Sequence, residues 1–331
     1  MMALHEAKQG MYVNEPAVYL KYGKYSAIIL PGVGGNLISF RDEERGYRFI
    51  REPEGTDWEA FLERPWVHGV PVLFPPNRYD AGTFEFDGRT YRFPVNEPST
   101  GNHLHGFVYS SKWEVIEFGS SEEKSFVTVR LRFDEKEPGY AYFPHEVTLS
   151  QTFELTGEGL TQRFDAVNES AEAIPFMLGF HTTINAPFAP GSRAEDLQCG
   201  ISLGESWELD GRMLPTGKRL PLNEGERLLR EGKGNPYFAS LDNHYTASPA
   251  NGVNAMTLYD VRARAKFVYE AGEGYKHWMV YNAQAGGEFF CPEPQTGMVN
   301  APNVELSPEE TGLIRLEPGQ SWTATSRMYT E

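Results

Sequence analysis

The sequence predicts an all-β protein built from antiparallel strands in one domain spanning residues 1–331, and three observations predict it. Apolar and polar residues alternate with period two along much of the chain, whereas no long stretch carries the 3.6-residue apolar period of a helix. Turn formers are abundant and evenly spread, with 33 Gly and 23 Pro, so short strands and tight turns follow one another without a linker. Large β-sandwiches and barrels commonly exceed the usual domain size, so a chain of 331 residues need not be divided.

In chain order, the first helix candidate is residues 56–63, where Asp57 and Glu59 suit a first turn. Phe84-Glu85-Phe86, the turn pair Asp87-Gly88 and Tyr91-Arg92-Phe93 form a hairpin signal. Residues 127–133 read Val-Thr-Val-Arg-Leu-Arg-Phe, apolar at every odd position. The same register returns at 147–155 and again at 160–166, with Thr156-Gly157-Glu158-Gly159 as the turn of a second hairpin. Residues 224–231 are the other helix candidate. Residues 265–270 and 275–282 flank Ala271-Gly272-Glu273-Gly274 in the manner of a third hairpin. The alternation packs one face of each sheet and leaves the other wet or lining a groove.

Composition narrows the function classes. Lys+Arg 30 against Asp+Glu 46 gives a net charge of −16, which repels phosphate backbones and anionic lipid, and no basic patch offsets it. Nucleic-acid and membrane-surface partners are therefore not expected. Two cysteines, Cys199 and Cys291, are too few for a disulfide framework and lack metal-ligand spacing. The first ten residues carry charged and polar groups where a signal peptide needs an apolar core, and no run approaches the ~18 apolar residues of a membrane helix. The expected location is the cytoplasm.

The residues that suggest chemistry lie far apart. His103 and His105 in Asn102-His103-Leu104-His105-Gly106-Phe107 are two apart on a probable strand, hence on one side of it. Imidazole exchanges protons near neutrality, although a pair satisfied in place at a strand end is the plainer reading. A metal site would need a third ligand such as Asp80 or His181, and the spacing gives it little support. His181 lies between the apolar run 177–180 and Thr182-Thr183, half-buried at a strand end. Glu293, between Pro292 and Pro294, is expected outside any central strand, because both neighbouring nitrogens lack a donor. Arg78 follows the stiff lead-in Phe74-Pro75-Pro76-Asn77, and Asp242 opens the polar-aromatic group Asp242-Asn243-His244-Tyr245.

Taken together and in order, residues 69–78, Phe86-Asp87-Gly88-Arg89-Thr90-Tyr91, His103 to Phe107 with Trp113, Phe180-His181 with Asn185, Asp242 to Tyr245, and Pro292 to Thr296 with Asn300 resemble the aldose 1-epimerase (galactose mutarotase) family. The likeness runs over roughly residues 15–328. It implies an antiparallel β-supersandwich with an open groove, no metal and no organic cofactor, and a small-molecule monosaccharide as partner. It implies that Glu293 takes the proton of the anomeric hydroxyl, His181 protonates the ring oxygen, and His105 sits beside them, while Arg78, Asp242 and Asn77 hold hydroxyls. Such chemistry needs one acid and one base and no nucleophile. A sugar-phosphate mutarotase with Arg64, Arg78 or Arg89 meeting the phosphate, a glycoside hydrolase using Glu293 and Asp242, and a sugar-binding sandwich without turnover are the alternatives. Two departures, Thr182-Thr183-Ile184 for Pro-Tyr-Phe and Phe107 for a second glycine, are expected close to the sugar and leave its identity open.

Overall fold

The computed structural model describes residues 5–331, of which 49% lie in strands and 11% in helices. Two eight-stranded antiparallel sheets dominate. In the first the order is Glu114–Ser120, Ser125–Phe133, Val147–Thr156, Gly159–Asn168, Ser321–Thr330, Ala265–Ala271, Asn254–Asp260, Leu197–Ile201. In the second it is Pro215–Leu220, Leu203–Leu209, Asp242–Ala247, His277–Tyr281, Phe289–Gln295, Gly179–Phe180, Val72–Leu73, with Ile184–Asn185 also paired to Phe289–Gln295. A five-stranded N-terminal sheet runs from His5–Tyr12 to Tyr47–Arg48.

The period-two pattern of the sequence becomes an in/out pattern of burial. Strand Val147–Thr156 alternates buried and half-buried residues without interruption, and it pairs with Gly159–Asn168 from Val147↔Asn168 to Thr156↔Gly159, the hairpin the sequence predicts. The hairpin Thr83–Phe86 with Arg89–Arg92 also forms. One hydrophobic cluster contains Phe153, Phe164 and Phe267 of the first large sheet together with Tyr245, Trp278 and Val280 of the second, as two sheets packed on inner faces require.

The third expected hairpin does not form. Ala265–Ala271 pairs with Asn254–Asp260 and Ser321–Thr330, whereas His277–Tyr281 pairs with Asp242–Ala247 and Phe289–Gln295. The turn at 271–274 instead carries the chain from one large sheet to the other. Packing there is close: a side chain on Gly274 would meet the Trp322 ring at 2.7 Å.

Helices are short. Trp58–Glu63 buries Trp58 and Phe61 in a satellite cluster with Ala17, Leu30, Val33 and Ile38. Glu224–Arg230 opens on a reciprocal cap, in which Asn223 Oδ1 accepts from Glu226 N at 2.9 Å and Glu226 Oε2 from Asn223 N at 2.8 Å. Among the described residues no helix is long and apolar enough to cross a membrane.

Candidate active site

Three neighbouring strands of the second large sheet lie in register, Asp242↔Tyr281↔Cys291 and His244↔Met279↔Glu293. Because lateral neighbours share a face, Asp242, Tyr281, Met279 and Glu293 fall on one side while Tyr245, Trp278 and Val280 enter the core. Those four residues line a cavity of ≈ 160 Å³ together with Arg64, Trp66, Asn77, Arg78, Glu97, His105 and His181.

Contrary to expectation, Glu293 occupies an interior strand. The prolines are tolerated because Phe289–Gln295 is paired continuously to His277–Tyr281 on one side only. On the other, Ile184–Asn185 pairs with Phe290 and Phe289, and pairing resumes at Gly179↔Gln295, so Pro292 and Pro294 fall opposite a gap where no ladder donor is needed. His181 fills that gap just after Gly179–Phe180. Its backbone N–H donates to Pro71 O at 3.2 Å, and its ring lies on the side opposite the core residue Phe180.

His181 Nε2 stands 3.2 Å from Glu293 Oε1, both side chains almost wholly buried. Glu293 Oε2 and His105 Nδ1 have no hydrogen-bond partner, and the His105 and His181 rings are edge to face at 5.4 Å. Burial pushes the Glu293 carboxyl well above its usual range, and the nearby Asp242 carboxylate adds to this. Burial lowers His181 to about 3. Both effects favour the neutral arrangement, one proton shared between carboxyl and imidazole, over carboxylate and imidazolium.

His105 reaches the cavity by leaving the strand. Asn102–Leu104 pairs with Arg78–Asp80, and His105 then takes φ +69° with Gly106 at +68°, its N–H donating to Asn77 O at 3.0 Å. The expected common side for His103 and His105 is therefore lost, because two-residue alternation ends at Leu104. His103 turns to Pro94 O at 2.8 Å and packs against Phe93 and Phe107.

Arg78 is buried and committed. It donates to both Glu97 oxygens, at 2.9 Å from Nε and 3.0 Å from Nη2, and from Nη2 to Asp242 Oδ2 at 3.2 Å. Asn77, also in the left-handed region, lines the cavity and accepts the Arg78 backbone N–H at 2.9 Å.

Other expected positions lie elsewhere. Asn185 ties its strand to Arg48 O and Ile50 O. Asn300 acts beneath the site, accepting Asp80 N–H at 3.1 Å and donating its own N–H to Arg78 O at 3.0 Å. Thr182 and Thr183 are fully buried and neither they nor Phe107 line the cavity, but Thr183 Oγ1 lies 3.5 Å from His181 Nδ1, so that departure sits directly behind the histidine. Asp80 pairs with Arg212 at 2.5 Å and Arg89 with Glu172 at 2.7 Å. Among the described residues no three His, Cys, Asp or Glu side chains are grouped to hold a metal ion. Arg64, named in the sequence only as a possible phosphate contact, also lines the cavity, whereas Glu97, Trp66 and Tyr281 were not singled out by sequence. Pro98 after Glu97 and Pro65 before Trp66 are the signals that could have marked them as held in rigid loops.

Fold and cleft define a sandwich of antiparallel sheets with a buried histidine–carboxylate pair in a polar groove. A family model described as Aldose 1-epimerase matches residues 16–329, and the chain belongs to that family. A galactose mutarotase-like protein from Clostridium acetobutylicum superposes with a TM-score of 0.95 at 33% identity, covering 99% of this chain and 98% of its own. YphB of Escherichia coli, a protein without assigned function, is 26% identical over 264 residues, 79% of this chain and 83% of that one. Human galactose mutarotase is 23% identical over 273 residues, 81% of this chain and 74% of that one.

Proposed function

We propose that the protein is an aldose 1-epimerase working as one domain, interconverting the α and β anomers of a free aldose such as glucose or galactose. The observation that carries this is the contact of His181 Nε2 with Glu293 Oε1 at 3.2 Å, beside two polar atoms, Glu293 Oε2 and His105 Nδ1, that have no protein partner. A buried polar atom without a partner is costly, and a sugar hydroxyl or ring oxygen supplies what is missing.

A sugar entering the cavity sets its anomeric hydroxyl on Glu293 and its ring oxygen on His181. Movement of the shared proton from carboxyl to imidazole leaves the net charge unchanged, so carboxylate and imidazolium arise without exchange with solvent. Glu293 then accepts the anomeric proton as His181 gives its proton to the ring oxygen, and the bond between C1 and the ring oxygen breaks. After rotation about C1–C2, the protons return and the ring closes on the other face. His105 accepts or donates at the reacting oxygens, and Arg78, Asp242 and Asn77 hold the remaining hydroxyls. Arg78, with its charge answered by Glu97 and Asp242, recognises hydroxyls as a member of a balanced network.

That pairing removes Arg78 as a free anchor for a phosphate; Arg64, which also lines the cavity, is why the sugar 6-phosphates belong in the test. A glycoside hydrolase, which needs two carboxyls free to act on one bond, is disfavoured because Glu293 stands against a histidine and Asp242 against an arginine. The test is polarimetry of freshly dissolved α-glucose and α-galactose, their 6-phosphates, and a nitrophenyl glycoside. Faster equilibration of the free sugars, unaffected by EDTA, supports the assignment; nitrophenol release without it rejects the assignment.

A further inference from the structure

A second cavity of ≈ 440 Å³ adjoins the first and has no part in the scheme above. The segment from His103 to Phe107 divides them: Leu104 and His105 line the catalytic cavity, and His103, Gly106 and Phe107 line its neighbour. Across the shared rim, Trp66 of the first cavity and Tyr109 of the second meet edge to face at 5.1 Å, and Trp66 lies 5.6 Å from the His105 ring. Within the second cavity, Phe107 and Tyr142 are stacked at 5.8 Å with their planes 13° apart, and Tyr142 is 41% exposed. Aromatic rings thus run from the His181–Glu293 pair through His105 and Trp66 to Tyr109 at the edge of the groove, and a second aromatic pair lines the groove itself.

We propose that this groove binds the outer rings of a neutral oligosaccharide whose reducing-end ring sits at His181 and Glu293. The inference rests on the epimerase reading and extends it to a substrate class. The C–H face of a pyranose is apolar, and a rigid, flat aromatic ring covers it at little entropic cost. Flanking polar groups suit hydroxyls: Lys112 lines the groove with Ser111 and Glu137, the last two bonded to each other at 2.6 Å, and its one cation and one carboxylate cancel, which favours an uncharged ligand over an anion. Tyr142 contributes little to the core, so its place in the groove is not explained by packing alone.

The experiment compares glucose, maltotriose and cellotriose as substrates of the parent and of Tyr142→Ala, with melting curves to verify folding. Binding of methyl maltotrioside and methyl cellotrioside, which cannot ring-open, is read by saturation-transfer NMR. The expected result is a roughly tenfold fall in kcat/KM for a trisaccharide relative to glucose, the scale of truncating one buried-on-binding aromatic anchor, with saturation transferred to the outer rings of at least one methyl glycoside by the parent only. A ratio that does not move in Tyr142→Ala, or transfer confined to the reducing-end ring, overturns the groove proposal while leaving the epimerase intact. Methyl glycosides bound through their outer rings by a protein that does not equilibrate glucose would sink the epimerase and retain the groove.

Discussion

At the scale of single residues, the account turns on where one proton sits. Burial lowers His181 to about 3 and raises Glu293, which favours a one-proton pair with the proton resting on the carboxyl. The alkaline limb of kcat/KM then reports loss of the shared proton, held by Glu293 at rest, and the acid limb reports a second proton entering at His181. An inflection near the ordinary histidine value of about 6.5 that disappears in His181→Asn would contradict this order. The histidine pair offers a second check. His105→Asn is expected to lose far more catalytic efficiency than His103→Asn, because only His105 lines the cavity; equal losses would refute the assignment. Glu293, His181, His105, Arg78, Asp242 and Asn77 were legible through the ordered set of motifs that resembles the family, none standing out singly, and all line one cavity. Glu97 was not legible, since an isolated glutamate in a polar loop looks like any solvated one until Arg78 is seen against it.

At the scale of elements, the turn at His105-Gly106 is decisive. A side chain on Gly106 would lie 2.2 Å from Phe74 O, at φ +68°. Gly106→Ala must therefore move backbone at the cavity wall, at a cost of order 1–3 kcal/mol for the strained conformation alone. Both Tm and kcat/KM are expected to fall, and a variant with the parent's Tm would show that the turn relaxes freely. Alternation predicted the strands and two hairpins correctly because burial on one face leaves a local, period-two record. It misassigned the turn at 271–274, since a turn within one sheet and a crossing between sheets carry the same glycines. The missing proline donors wrongly excluded Glu293 from a central strand, because the gap opposite Pro292 and Pro294 is made by partners more than a hundred positions earlier.

At the scale of the whole molecule, buried histidines link stability to acidity. His68, His103, His145 and His277 are each lowered by burial to about 4, and His181 to about 3, from 6.5. Between these values and 6.5 the unfolded chain binds more protons than the folded one, so stability rises with pH through this window and falls as pH drops. Calorimetry should find Tm clearly lower at pH 5 than at pH 7, and an unchanged or higher Tm at pH 5 would mean that these imidazoles are protonated in place. The central claim, that Glu293 and His181 transfer the protons of ring opening, is tested most directly by polarimetry of freshly dissolved α-galactose with the parent and Glu293→Gln. The amide keeps the shape but cannot take the proton, so kcat is expected to fall about 10²-fold or more, the scale of losing a general base, with KM little changed; a variant that equilibrates the anomers as fast as the parent would contradict the mechanism.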